Sequence, residues 1–253
     1  MKKYIRAAIK DISEEDNQYQ FYLASAPDTS PRTLEQLFAL NDGNINVNLA
    51  KNKNLPSDLA IKLAQWNGPE DLLVLSWLAR NPSVNAEVLD TIIDNPNRTD
   101  VISYYIACNP NLSVRAQYEL ADSDDPDVRY GLAENPNLAE EVMYILADDS
   151  SKDVRNEVAS KDNVPEDLLR KFAEDDEPFV RIAVAFHERT PVDVLVKLVD
   201  DPDEIVRYYL ARNDNTPTDI LQYLCNSEHR ATREHARKTL ERKGIHVDTE
   251  ADE

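Results

Sequence analysis

Glycine is almost missing from this chain: Gly43, Gly68, Gly131 and Gly244 are the four in 253 residues. Tight turns with positive φ consume glycine, so its scarcity excludes a β-rich fold with many hairpins. Cysteine is as scarce, with Cys108 and Cys225 only. Both lie among apolar neighbours, where a buried structural thiol is the expectation. No apolar run is long enough to span a bilayer. The stretch from Met1 to Lys10 is basic but lacks the apolar centre of a signal peptide, so a cytoplasmic protein that avoids membranes is expected. Basic side chains are also in deficit, 28 against 48 acidic, which gives a formal charge of −20 and a pI near 4.6. Binding nucleic acid requires that phosphates be neutralised by Lys and Arg, so direct binding to DNA or RNA is excluded over most of this surface. The acid excess favours solubility and identifies no particular partner.

What is present is helix-forming and periodic. Apolar residues make up 42% of the chain, enough for a core, and Leu, Ala, Glu and Asp are abundant. Val128-Arg129, Val154-Arg155, Val180-Arg181 and Val206-Arg207 recur every 26 residues, and Thr232-Arg233 continues the arginine. Ala107, Ala133, Ala159, Ala185 and Ala211 keep the same period, as do Leu120, Leu146, Phe172, Leu198 and Leu224. Ala24 and Ala50 extend it upstream; Ala50 to Ala79 is 29 residues and Ala79 to Ala107 is 28. Short insertions near Trp66-Asn67-Gly68-Pro69 and Asn95-Pro96-Asn97 account for the difference. Fixed self-similarity of this length signals a stacked repeat architecture of about eight units. Cys108 and Cys225 are then more than four units apart. At roughly 10 Å per helix layer they cannot reach the ~7 Å Cα separation of a disulfide.

Each unit reads as two helices. Ser30-Pro31, Thr190-Pro191 and Thr216-Pro217 place a capping hydroxyl before a proline at the first helical position. Asp193 and Asp219 follow three residues after the threonines, where an acid suits the positive helix end. Leu168, Leu169, Phe172 and their equivalents Val194, Leu195, Leu198 and Ile220, Leu221, Leu224 then fall at helical spacing. A second, shorter helix opens at Asp125-Pro126 or Glu177-Pro178 and buries Val128, Leu132 and Ala133. It stops at Asn81-Pro82, Asn109-Pro110 or Asn135-Pro136, because the residue before proline resists the helical region. Neither helix can bury its apolar face alone, whereas stacking neighbours makes one continuous core.

The unit Leu132-Ala133-Glu134-Asn135-Pro136-Asn137-Leu138, with Ala147-Asp148 and Val154-Arg155 after it, resembles the variant leucine-rich repeat, an all-helical repeat family akin in style to HEAT-type repeats. The resemblance covers roughly residues 20 to 240. It implies an all-α, right-handed α-solenoid in which an α-helix alternates with a shorter, often 3-10, helix, and it implies protein binding without naming a partner. Some members carry an N-terminal cysteine cluster for an iron–sulfur centre. Such a centre needs about four thiolates, and no cysteine precedes Cys108 here, so no cofactor is expected. The domains expected are an N-terminal cap over 1–20, with Tyr4, Ile5 and Ile9 packing on the first unit; the solenoid over 21–225; a capping helix over 226–243; and a disordered acidic tail over 244–253. The capping segment carries six basic residues against three acidic ones, unlike the rest of the chain.

Three columns attract a functional reading. The arginines Arg129, Arg155, Arg181, Arg207 and Arg233 follow acidic turns such as Asp122-Ser123-Asp124-Asp125-Pro126-Asp127. They either grip an acidic ligand or stitch repeat to repeat by pairing with those turns, as HEAT-like repeats do; the structural role is the expectation. Tyr104, Tyr130 and Tyr208 share one column and Tyr105 and Tyr209 the next. Tyr130 lies about 200° around the helix from the inward Val128, so its column is expected on an outer face, either anchoring a partner or closing gaps between repeats. The acidic turn is not a calcium loop, which needs Gly at its sixth position and Glu at its twelfth. Those positions are Asp127 and Ala133. His187, His229, His235 and His246 form no metal pattern. No phosphate loop, G-x-S-x-G or H-E-x-x-H occurs. The expectation is therefore a non-catalytic scaffold that holds a protein or peptide along its repeat surface. The alternatives are an acidic mimic of nucleic acid that inhibits a DNA- or RNA-binding protein, and a self-associating structural protein. A base-removing glycosylase on a HEAT-like fold would need a basic track, which the charge opposes.

Overall fold

The computed structural model describes residues 14–246. Tyr4, Ile5 and Ile9 of the expected cap, and residues 247–253 of the expected tail, lie outside the described residues. Among those described there are seventeen α-helices, one 3-10 turn and no strand. The chain divides into two units, Met1–Ala139 and Glu140–Glu253. The first holds α1 (Glu14–Ser25), α2 (Pro31–Phe38), α3 (Gly43–Ala50), α4 (Ser57–Ala64), α5 (Asp71–Arg80), α6 (Ala86–Ile93), α7 (Asp100–Ala107), α8 (Val114–Ala121) and α9 (Pro126–Glu134). The second holds α10 (Glu140–Leu146), α11 (Lys152–Ala159), α12 (Glu166–Phe172), α13 (Pro178–Phe186), α14 (Val192–Lys197), α15 (Glu204–Arg212), α16 (Thr218–Leu224) and α17 (Arg230–Arg242).

Each unit is a solenoid stack. In the first, α1, α3, α5, α7 and α9 pack successively on one another; in the second, α11, α13, α15 and α17 do the same. The remaining helices form the other layer. The period-26 columns are the core: Val128, Leu132, Ala133, Val180, Val184, Ala185, Val206, Leu210 and Ala211 are fully buried, as are Leu169, Phe172, Leu195 and Leu221 from the opposing layer. Burying one such Leu or Phe contributes about 1.5–3 kcal/mol.

Two local expectations need correction. The helices opening at Asp125-Pro126 and Glu177-Pro178 are the longer ones, 9 residues each, whereas α12 and α16 have 7. The shorter ones lose their last turn to tighter winding. Glu174 and Asp175 donate to Lys171 and Phe172, three residues back, and Asn226 and Ser227 repeat the pattern. Both helices of the repeat are nevertheless α, and the single 3-10 turn, Leu198–Asp200, merely continues α14. The second correction concerns the caps. Ser30 does cap α2, accepting from the Thr33 N–H at 3.2 Å with Pro31 in the first turn. Thr190 and Thr216 cap nothing; the cap positions are Pro191 and Pro217. Their hydroxyls donate backward to the carbonyls of Val184 (2.6 Å) and Leu210 (2.7 Å), inside the preceding helices. A buried hydroxyl does best on an orphan carbonyl at a helix end, and those ends lie against it.

The asparagines that end the longer helices do more than stop them. Asn52 donates to Ala24 and Ala26, Asn81 to Ala50 and Asn52, Asn109 to Ala79 and Asn81, and Asn135 to Ala107 and Asn109, always through both amide hydrogens to backbone carbonyls one repeat earlier. Each side-chain oxygen accepts the N–H two residues on, from Asn54, Ser83, Asn111 and Asn137 respectively. Asn213 continues the pattern in the second unit, onto Ala185 and His187. These side chains are buried, so each one satisfies three backbone groups that water cannot reach.

His187 occupies one rung of this ladder in the second unit. Its Nδ1 accepts from the Arg189 N–H and its Nε2 donates to the Lys161 carbonyl, both at 3.0 Å. One imidazole N–H replaces two amide hydrogens. His187→Asn supplies a second donor toward the Ala159 carbonyl, the position equivalent to Ala107 under Asn135. It is expected to raise unfolding stability by about 0.5–1.5 kcal/mol in urea denaturation. A loss of stability would show that the imidazole ring packs better than the amide bonds.

Candidate partner-binding surface

The arginine column projects from α9, α11, α13, α15 and α17 toward the acidic turns. Arg155 grips the Asp175 carboxylate with two bonds of 2.7 and 2.8 Å, reaches Asp176 at 3.1 Å, and donates to the Asp149 carbonyl at 2.9 Å. Arg181 holds Asp201 at 2.7 and 3.0 Å and the Asp175 and Asp176 carbonyls at 2.8 and 3.1 Å. Asp175 and Asp201 each also accept the N–H two residues on. Burial alone would raise the Asp175 carboxyl, but the Arg155 bond and the Glu177 N–H hold it below the ordinary aspartate range. Arg129 donates to the Ser123 carbonyl, Arg207 to that of Asp201, and Arg233 to those of Ser227 and Glu228. The guanidiniums of Arg155 and Arg181 are thus occupied within the fold.

Tyr104, Tyr105, Tyr130, Tyr208 and Tyr209 are all half-buried. In the first unit Tyr104 and Tyr105 meet edge to face at 5.7 Å, the Arg80 guanidinium lies 4.0 Å above Tyr105 and 5.5 Å from Trp77, and the Lys51 ammonium is 4.7 Å from Trp77. In the second, Tyr208 and Tyr209 meet at 5.2 Å, flanked by Phe186 and His235, with the Arg212 guanidinium about 5.5 Å from the three rings of Phe186, Tyr208 and Tyr209. Each unit therefore carries an aromatic strip topped by cations. Trp77, Arg80, Phe186 and Arg212 were not singled out from the sequence. They could have been, because Trp77 shares the Tyr105 column and the other three share a column three residues further on, once the insertions are allowed for.

Tyr104 and Tyr130 also face one groove, of about 350 Å³, lined by Asp100, Val101, Asp125 and Asp127 between α7 and α9. The Tyr104 hydroxyl donates to Glu134 at 3.3 Å. Its pKa is pushed above the ordinary tyrosine range by the adjacent Cys108 sulfur and by burial, so the phenol keeps its proton. Gly131 is what lets this ring lie down: a Cβ there would sit 2.7 Å from the Tyr104 ring and 3.1 Å from the Cys108 sulfur. Cys108 is half-buried rather than fully buried, while Cys225 is buried; both thiols are free, and burial pushes both above the usual range. In the second unit Tyr208 and Tyr209 face a groove of about 290 Å³ with Glu204, Ile205, His229, Ala231 and Thr232. Among the described residues no three His, Cys, Asp or Glu side chains converge as metal ligands would, and no helix is long and apolar enough to cross a membrane.

Two stacked layers of short helices in a 26-residue register define an α-helical repeat protein. More particularly, the chain has the fold of the leucine-rich repeat variant. It matches the solved structure described as a leucine-rich repeat variant with a novel repetitive protein structural motif, with a TM-score of 0.59 and 22% identity, over 85% of this chain and 83% of that one. A designed armadillo repeat protein aligns over 93% of this chain and 96% of its own at 15% identity, with a TM-score of 0.26. No family model and no curated protein sequence matches the chain.

Proposed function

We propose that this protein is a non-catalytic scaffold that holds a protein or peptide partner on the exposed surface of its repeats. The observation that carries the reading is the recurrence, in both units, of half-buried tyrosines at one register, with the Arg80 guanidinium over Tyr105 in the first and that of Arg212 beside Tyr208 and Tyr209 in the second. Rigid aromatic side chains beside arginine are the groups that dominate protein interfaces. Stacked repeats present them on a stiff support, which lowers the entropy lost on binding. We place the arginine column inside this scaffold as repeat-to-repeat stitching, and α17, with its basic face, as the cap of the stack. A cytoplasmic setting suits its two free thiols.

The test is an affinity pull-down from native lysate with the wild type beside a Tyr104→Ala, Tyr130→Ala, Tyr208→Ala triple variant, both checked for helicity by circular dichroism. A partner retained by the wild type and lost by the folded variant is the expected result. Equal capture by both would remove the tyrosine columns as the site. If the captured partner is displaced by duplex DNA, the acidic surface is acting as a mimic of nucleic acid instead. If nothing is captured and light scattering shows oligomers, self-association replaces the scaffold reading.

A further inference from the structure

We infer that the groove between α7 and α9 receives a lysine or arginine side chain from the partner, so that the partner docks through a basic segment. The inference rests on the scaffold reading above and specifies its chemistry.

The groove has a counterpart in the same chain. Asp100-Val101 and Tyr104-Tyr105 recur 104 residues later, four repeats on, as Glu204-Ile205 and Tyr208-Tyr209; Asp100, Val101 and Tyr104 line a groove of the first unit, and all four later residues line one of the second. The two grooves share a register and differ in charge. In the second, the chain brings its own nitrogen groups to the acid and the rings. His229, at the position of Asp125, brings its Nε2 against the Glu204 carboxylate. Arg212, at the position of Cys108, lies 5.5 Å from the Tyr208 ring and 5.4 Å from the Tyr209 ring. In the first, neither nitrogen group is present: one position is aspartate and the other an uncharged thiol. Asp127 adds a third carboxylate where the second groove has Ala231. Among the described residues no lysine or arginine pairs with Asp100, Asp125 or Asp127. Arg80, the nearby cation of this strip, sits over Tyr105 and Trp77.

Helix ends account for part of this placement, since Asp100 and Asp127 stand in the first turns of α7 and α9. Asp125 does cap α9, accepting from the Asp127 N–H at 2.9 Å. Yet α17 opens at the same register with His229 and Ala231, has no side-chain cap bond, and still forms its 13 residues. The first groove thus offers a phenol wall and three carboxylates, with no basic side chain at the positions where its twin has His229 and Arg212. A cation carried on a long aliphatic stem matches both features: the stem lies along Val101 and Tyr104, and the head reaches the carboxylates. Carboxylates and aromatic faces around one pocket also reject acidic side chains, which gives selectivity as well as attraction.

The probe is a fluorescein-labelled (Lys-Ser)4 peptide, followed by anisotropy against the full chain at 50 and 150 mM NaCl, with (Gln-Ser)4 as the neutral comparison. The wild type is expected to bind the lysine peptide at least tenfold more tightly than the glutamine one. Asp100→Asn, Asp125→Asn, Asp127→Asn in combination is expected to weaken the lysine peptide at least tenfold; asparagine caps a helix as well as aspartate does, so folding is preserved. Asp28→Asn, Glu35→Gln, Asp58→Asn removes the same charge from exposed sites elsewhere in this unit and is expected to change affinity less than about twofold, since exposed charges beyond ~10 Å are screened. Tyr104→Phe is expected to retain binding and Tyr104→Leu to lose it. Equal losses in the two charge-removing variants, equal binding by the Phe and Leu variants, or no preference of the wild type for lysine would each overturn the assignment. If the assignment falls while the pull-down still captures a tyrosine-dependent partner, the scaffold reading stands without this groove.

Discussion

Asn109→Ala is expected to cost about 3–5 kcal/mol of unfolding free energy, a large share of a domain's total. The buried amide donates to the Ala79 and Asn81 carbonyls at 2.7 and 3.1 Å, and its oxygen accepts the Asn111 N–H at 3.0 Å. Alanine leaves all three backbone groups dry and unpaired, and each such group costs roughly 1–3 kcal/mol. Because the rung joins one repeat to the one before, the loss falls on a nearest-neighbour interface. Asn109→Asp should be at least as damaging, since it removes both donors and buries a charge. Asn95→Ala is the internal reference: that side chain is only partly buried and makes one bond to Ala64 and one from Asn97, so a loss of about 1–2 kcal/mol is expected. Urea titrations of the three variants decide the matter. Equal, small losses would mean that the ladder is decoration on a core that packs without it.

Arg181→Ala carries the second large effect, about 3–5 kcal/mol, because it strands the Asp201 carboxylate, whose side chain is 4% exposed. Lysine at 181 is expected to recover only part of the loss, since one ammonium cannot match the two parallel bonds to Asp201 and the two further bonds to carbonyls. Replacing both partners, Arg181→Met with Asp201→Leu, should return most of the stability, because the desolvation of both charges disappears together. The exposed pair Arg170 with Asp193 is the contrast: its side chains are 44% and 63% exposed, and Arg170→Ala should cost under about 1 kcal/mol. A double-mutant cycle on both pairs measures the difference. Acid should erode the neighbouring Arg155 pair in a defined direction. The Asp175 carboxyl is depressed in the folded state, so its contribution is fully present above its ordinary, unfolded value and is lost as pH falls through the lower folded one. Stability of Asp175→Asn should therefore depend less on pH below about 4 than that of the wild type.

The repeat, the all-α class and the buried columns could all be read from the residues, because stacking forces the same apolar positions to recur: Val128, Leu132 and Ala133 are buried at the spacing their period requires. The lengths of the two helices could not. Proline and acid signals mark where a helix starts, but whether its last turn is α or tighter depends on the chain packed beside it, as at Lys171–Asp175. The threonines before Pro191 and Pro217 carry cap chemistry in sequence and lie against a carbonyl in space; local preference yielded to a buried acceptor. The asparagines were read as stops through the prolines that follow them, which is a local rule. Their bonds to Ala79, Ala107 and Ala185 span 28 to 30 residues, and no local rule reports those.

For the candidate surface the division is similar. Periodicity and charge are properties of the chain, so the residues alone put the tyrosines and arginines in register and make the chain acidic. Folding in three dimensions is what brings Asp175 and Asp201 to the Arg155 and Arg181 side chains, sets Arg80 and Arg212 over rings, and puts Tyr104 and Tyr130 in a groove with three carboxylates. Those facts depend on which side chains meet across neighbouring helices, and one-dimensional spacing places residues on a face without saying what stands opposite.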